Sequence, residues 1–209
     1  MYREGRFVML EQLGPFDSVL DVGGNIGEFA EGCRGLWPEA RITSFEPLPG
    51  ACREQRRRSG GRWWTEEVAI SDRAGRATLQ FCVNQHTVSS LQTMGPARRK
   101  LGHRDRLEPV EVRTRPLDDY LEHVYGYCLL KIDVEGHEGK VLAGARRVLE
   151  LVHVVIVEVQ QDPELFEGAP SVGEVDAQLR FHELYLAGVL DCFKTADGRV
   201  LQLDGVWVR

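Results

Sequence analysis

Residues 128–142, CLLKIDVEGHEGKVL, run an apolar segment straight into Asp133, Glu135, His137 and Glu138. Three carboxylates and an imidazole so close together suit two tasks: facing a cation, or taking a proton from a hydroxyl. His137 is the natural general base, because an imidazole titrates near roughly pH 6.5. Asp133 and Glu135 are alternatives, as the base itself or as the group that orients His137. A plainer reading has His137 capping the following helix and Asp133 holding a ligand amine. Glu138 falls near that helix's N-terminus, where negative charge is favourable. Lys131 lies inside the apolar segment and is expected to form a structural ion pair with Glu158 in VVIVEVQ.

These residues need a scaffold, and the hydrophobic pattern supplies one. SVLDVGG (18–24) reads as a buried strand running into a glycine turn, and Ile26, Phe29, Ala30 and Cys33 then recur at helical spacing. ARITSFEP (40–47), WTEEVAIS (64–71), CLLKID (128–133) and VVIVEVQ (154–160) read as further strands, with ELYLAGVL and DGVWVR closing the order. A polar, arginine-rich helix is expected over 51–59, and Ser171 with Glu174 forms a capping box for a helix carrying Val175 and Leu179. Strands alternating with helices imply an α/β fold, a mostly parallel sheet covered on both faces. Residues 72–127 interrupt the order, with a hairpin at RATLQFCV and a polar segment through Arg106. They read as an insertion within a single domain spanning 1–209, lying over the sheet edge or the ligand site, and 84–106 is expected to form a flap.

In such sheets ligands bind beyond the carboxyl ends of the strands. The tips are Asp21 through Gly27, Glu46, Ile70 to Asp72, and Asp133 to Glu138. DVGGNIG is neither a dinucleotide fingerprint, since Asn25 and Glu28 stand where glycines are needed, nor a Walker loop. Gly23, Gly24 and Gly27 still let the backbone approach a ligand closely. Asp21 and Glu28 flank the turn, which disfavours phosphate. Glu46 can accept both hydroxyls of a ribose, and Asp72 can accept from an adenine amine. The tips therefore suit a positively charged nucleoside without phosphates, and S-adenosylmethionine fits that description.

LDVGGNIGEFA, SFEPLPG, VAISDRAGRATL, SSL, RPLDDYL and LLKIDVEGHEGKVLAGA, in this order over about residues 18–160, resemble the FkbM family of S-adenosylmethionine-dependent methyltransferases. The resemblance implies a Rossmann-like class I methyltransferase with a seven-stranded sheet whose last strand is antiparallel. It implies O-methylation of a small natural product or sugar. It also implies cofactor contacts at Asp21, Gly23, Asn25, Gly27, Glu46, Pro47, Ala69, Ser71 and Asp72. Ser89 and Ser90 match the family's serine pair.

Two other classes stay open: a nicotinamide-dependent reductase, against which the missing fingerprint argues, and a non-catalytic adenosine-ligand module. Clustered carboxylates can hold magnesium. The fifth strand, however, ends in Val159, Gln160 and Gln161 without a second acidic pair, so no required metal is expected. The net charge of -6 argues against general nucleic-acid binding, although REQRRR (53–58) and RRKLGHRDR (98–106) are basic. No run approaches the roughly 20 apolar residues of a membrane span. The five cysteines form no CxxC, and Cys33 and Cys128 read as reduced core residues of a cytoplasmic protein. The expected partner is a small-molecule hydroxyl acceptor, with a homodimer compatible.

Overall fold

The computed structural model describes residues 4–83, 89–96, 106–161 and 165–209, with side chains from residue 9 onward. Its main sheet has seven strands: β1 (Ser18–Val22), β2 (Arg41–Phe45), β3 (Trp64–Glu66), β7 (Cys128–Ile132), β8 (Val154–Gln160), β9 (Tyr185–Lys194) and β10 (Val200–Val208). Their order is β3-β2-β1-β7-β8-β10-β9. The β1–β2, β1–β7, β2–β3 and β7–β8 pairs are parallel, whereas β10 runs antiparallel to both β8 and β9. This is the mostly parallel sheet that the alternating pattern implied, in the Rossmann-like form with a reversed last strand that the FkbM resemblance implied.

Strands β1, β7 and β8 are buried along their whole length, because helices cover both sheet faces. Side-chain alternation sorts their residues into two cores. Leu20, Val22, Leu130, Ile132, Val155 and Val157 pack with Val141, Leu142, Val175 and Leu179 from the helices Glu138–Ala143 and Val172–Phe181. Val19, Leu129, Val154 and Ile156 pack with Phe29, Ala30 and Cys33 of the helix Glu28–Leu36. The same parity puts Asp21, Lys131 and Glu158 on this second face, at the carboxyl ends of the strands. Full burial of one such Leu or Val side chain contributes about 1.5–3 kcal/mol. The capping box at Ser171 and Glu174 forms as its sequence predicts. In the arginine-rich helix Pro49–Ser59, Arg57 and Arg58 both pair with Glu54.

The third expected strand is split. Glu46 donates its N–H to the Glu66 carbonyl and accepts from the Val68 N–H, so the edge of β2 holds the chain on both sides of Glu67. Beyond that point Ala69–Ile70 (β4) joins a different sheet, ordered β4-β6-β5, with β5 at Gly75–Cys82 and β6 at Leu107–Arg115. The insertion is therefore a long antiparallel hairpin, β5 with β6, rather than a hairpin within RATLQFCV alone. Of the segment expected to form a flap, 84–106, only 89–96 and Arg106 are described. The rest, including most of RRKLGHRDR, lies outside the described residues. No helix among the described residues is long and apolar enough to cross a membrane.

Candidate active site

The glycine turn after β1 is shaped by close approach. Gly23 has φ +81°, and a Cβ there would lie 1.8 Å from the Asp133 carbonyl oxygen. A Cβ on Gly24 would lie 1.8 Å from Ser44 Oγ. The N–H groups of Gly23 and Gly24 both donate to the Phe45 carbonyl, which binds the turn to the end of β2. Asn25 also has positive φ, 45°, which a short polar side chain tolerates better than most. Gln55 is wholly buried and donates to the Asn25 carbonyl at 2.8 Å, holding the turn from the side of the arginine-rich helix.

Glu46 sits one residue past β2 and faces that turn. Its Oε2 accepts from the Asn25 N–H at 3.0 Å and its Oε1 from the Leu48 N–H at 2.9 Å. Each oxygen keeps a lone pair for a ligand hydroxyl. Burial pushes this carboxyl up to about 7, against the two N–H groups that favour its ionised form. Pro47 follows it directly.

Asp21 is fully buried on β1. It accepts from Ser44 Oγ at 3.1 Å and lies 3.4 Å from Lys131 Nζ. Burial raises its carboxyl, while Lys131 and Ser44 oppose the rise. Lys131 also pairs with Asp133 at 3.1 Å. The expected Lys131–Glu158 pair is thus replaced. In the parallel register Lys131 faces Asp21 on one side and Ile156 on the other, which leaves Glu158 two residues further along β8.

The tip after β4 meets the tip after β7 through His137. Its Nε2 lies 3.0 Å from Ser71 Oγ, and Ser71 Oγ donates to Asp72 Oδ1 at 3.1 Å. Its Nδ1 accepts from the Gln92 carboxamide at 3.2 Å. These contacts select the neutral tautomer protonated at Nε2. Burial lowers the imidazole to about 4. Acting as a base would require His137 to release Gln92 from Nδ1. His137 occupies the N-cap position of the helix Glu138–Ala143 but makes no side-chain cap bond. Lys140 pairs with Asp72 Oδ2 at 3.1 Å and holds that carboxyl below its ordinary range. Ala69 and Ile70 are buried beneath this tip.

Glu138 is buried, and its Oε1 accepts from the Val134 and Gly136 N–H groups. It fixes the loop in which Glu135 adopts φ +54°, a costly conformation for a residue with a side chain. Ser90 Oγ donates to the Glu135 carbonyl, so the insertion lies over this loop. Ser89 Oγ instead accepts from the Cys82 N–H, within the insertion. Ligand atoms of Asp133, Glu135 and Glu158 all fall within 4.8 Å of one another.

Residues 21–185 match the family described as Methyltransferase FkbM domain. The chain belongs to that family. It is 32% identical over 170 residues to the 2-O-methyltransferase NoeI of Sinorhizobium fredii, which covers 77% of this chain and 69% of that protein. It is 31% identical over 199 residues to the 31-O-demethyl-FK506 methyltransferase FkbM of Streptomyces tacrolimicus, covering 82% and 74%. The fold also resembles the crystal structure of Methyltransferase FkbM from Methylobacillus flagellatus KT, with a TM-score of 0.58 at 15% identity over 93% of this chain. The chain spans 44% of that solved chain. At such low identity this likeness speaks for the fold alone. The FkbM-family chain is therefore a methyltransferase.

Three residues of this FkbM-family site were not assigned to it from sequence. Gln55 stands among the polar residues of the arginine-rich helix, with nothing in its sequence neighbourhood to mark it as buried. Gln92 lies in an insertion without periodic pattern. Glu158 stands inside a strand, where sequence alone suggests a pair with Lys131. The one available signal was its position, a charged residue in an otherwise apolar buried strand.

Proposed function

We propose that the chain transfers the methyl group of S-adenosylmethionine to a hydroxyl of a small sugar-like or natural-product acceptor. Glu46 carries this reading. Its carboxylate is fixed by two backbone N–H groups at the tip of β2, beside the glycine turn, where it can accept the two ribose hydroxyls. Gly23, Gly24, Asn25 and Gly27 supply close backbone approach to the amino-acid end of the donor. Asp21, through Lys131, sets the position of Asp133, which faces the donor's ammonium and sulfonium. Ser71 and Asp72, with Ile70 and Ala69 beneath, form the adenine side. The names of NoeI and FkbM describe methyl transfer to oxygen on their own substrates, and this supports a hydroxyl acceptor here.

In the reaction the methyl carbon–sulfur bond breaks with its electron pair going to sulfur, and a carbon–oxygen bond forms in line. Much of the rate comes from holding nucleophile and methyl together. The hydroxyl proton leaves toward the tip of β7, where Asp133 and Glu135 stand and where His137 is already neutral. The test is calorimetry with the demethylated product, S-adenosylhomocysteine, followed by labelled S-adenosylmethionine with a panel of sugars. Binding and label transfer are expected. Failure to bind S-adenosylhomocysteine while binding NAD would overturn the reading in favour of a reductase.

A further inference from the structure

The β8 tip contains a buried charge that the methyl-transfer geometry leaves unexplained. Glu158 is only 7% exposed, and its Oε1 has no hydrogen-bond partner. The charged groups that act on it most strongly, Asp133, Glu135, Asp204 and Glu138, are carboxylates that disfavour its ionised form. Asp204 lies directly opposite Glu158 in the β8–β10 pairing and is itself buried. Two residues along β8, Gln160 is 2% exposed, and neither its carboxamide oxygen nor its nitrogen has a partner among the described residues. The nearby cation, Lys131, is drawn to Asp21 and Asp133. An isolated buried carboxylate among like charges is strongly disfavoured unless a cation or a proton joins it.

We infer that Asp133, Glu135 and Glu158 form a binding site for one hard divalent cation of the magnesium or manganese class, which holds the acceptor hydroxyl beside the methyl donor. The spacing is suitable. Oxygen ligands at about 2.0–2.6 Å from a single ion lie at most roughly 4–5 Å apart, and the three ligand atoms fall within 4.8 Å of one another. The donor set is oxygen only, which favours magnesium, manganese or calcium over zinc. Three carboxylates converge, and the Glu158 side chain is aimed among them without another bond. Asp133 and Glu135 reach the cluster from the β7 tip and Glu158 from β8, so the ion would sit beside the donor rather than at the protein surface.

The role in catalysis rests on the methyl-transfer reading. A hydroxyl bound to such an ion loses its proton to water more readily. The resulting alkoxide then attacks the methyl carbon as the carbon–sulfur pair returns to sulfur. This frees His137 from serving as base, in keeping with its engaged ring nitrogens.

Calorimetry of the chelator-treated chain with manganese chloride tests the site, with a separate titration of S-adenosylhomocysteine. One manganese site is expected in the unaltered chain, together with a higher melting temperature in its presence. Glu158→Gln keeps the shape and removes one repelling charge, so it should fold at least as well without metal. It should weaken manganese binding at least about tenfold and lose the metal-dependent melting shift. Glu135→Gln, in the partly exposed loop, should give the same loss and substitutes if Glu158→Gln fails to fold. Absence of manganese binding in the unaltered chain, or unaltered affinity in the Gln variants, overturns the site. If S-adenosylhomocysteine binds but manganese does not, the cation fails and the methyl-donor reading stands. If manganese binds but S-adenosylhomocysteine does not, the donor reading fails and the cation site stands.

Discussion

Lys131 lies directly across from Asp21 in the β1–β7 pairing, and its ammonium sits 3.4 Å from the fully buried Asp21 carboxylate. The same ammonium reaches Asp133 at 3.1 Å and rests over the Phe29 ring at 5.3 Å from its centroid. One cation thereby joins the end of the first strand to the end of the strand that carries the candidate catalytic loop. Its charge is confined because the helix Glu28–Leu36 covers this face of the sheet.

Removing that cation should expose the cost of two neighbouring acids. Lys131→Met keeps the stem but leaves Asp21 buried without its counter-charge. The expected loss is about 3–5 kcal/mol in urea denaturation. The double variant Lys131→Met/Asp21→Asn should recover a good part of it, since the orphaned charge is then gone. Equal losses in single and double variants would mean that packing, not charge, dominates at this position.

Gly23 and Gly60 separate backbone strain from collision. Both have positive φ, but a Cβ at Gly60 meets nothing within 4 Å, whereas at Gly23 it meets the Asp133 carbonyl. Gly60→Ala should cost about 1–2 kcal/mol, the ordinary left-handed penalty. Gly23→Ala should cost more, about 2–4 kcal/mol. It should also abolish S-adenosylhomocysteine binding, because the β1 and β7 tips must part. Intact binding in Gly23→Ala would remove the turn from the donor site.

The strands, and so the tips, were legible because burial on both faces writes an unbroken apolar run that ends abruptly. Asp21, Glu46 and Asp133 stand at those ends, and their side chains have little choice of direction. The partner of Lys131 was not legible, because it depends on register: a strand that neighbours β7 supplies Ile156 at the paired position, not Glu158. The split of WTEEVAIS was hidden as well. Its two halves are equally strand-like, and only the Glu46 backbone bonds decide where the chain leaves the sheet. Gln92 reached the site through the insertion, which long-range contacts place: Ser90 bonds the Glu135 carbonyl, and Met94 bridges and packs against Phe166.

His137 should behave as a positioning residue. It bridges Ser71 and Gln92 and is neutral above about 4 because burial disfavours its cation. His137→Ala should weaken S-adenosylhomocysteine binding about fivefold, the worth of roughly one hydrogen bond, by loosening Ser71 and Asp72. Turnover at saturating donor should change little, and the pH profile should show no limb from His137 near neutrality. His137→Gln should restore much of the affinity. A 100-fold fall in turnover, of the size a lost general base produces, together with a lost limb near neutrality, would instead make His137 the base. Stability gives a second readout. The folded pKa lies below the ordinary 6.5, so the unfolded chain binds the proton first. His137's own contribution should therefore be lost as pH falls from 6.5 toward 4, read as the difference between the unaltered chain and His137→Gln, because Glu46 acts in the opposite sense over that window.

Glu46 makes donor binding pH-dependent near neutrality, where an exposed acid would show the same fall only in stronger acid. Burial raises its carboxyl from 4.5 to about 7, so the free chain carries a proton there in mildly acidic solution. Two ribose hydroxyls are donors and require the ionised form. Binding must therefore expel a proton below about 7. The expected affinity for S-adenosylhomocysteine is flat above that value and falls up to about tenfold per pH unit beneath it. For folding the sign runs the other way. The raised pKa contributes stability that is full below 4.5 and is lost as pH rises through about 7. Glu46→Gln should abolish the binding slope, because the carboxamide does not titrate. At alkaline pH it should also bind at least about tenfold more weakly, through loss of charge-assisted bonds of about 1.5–3 kcal/mol. Calorimetry across the acidic and neutral range, in two buffers of different ionisation enthalpy, reads the expelled proton directly. Binding without proton release in the unaltered chain, or an unaltered profile in Glu46→Gln, would take the ribose away from Glu46 and place the donor elsewhere along the strand tips.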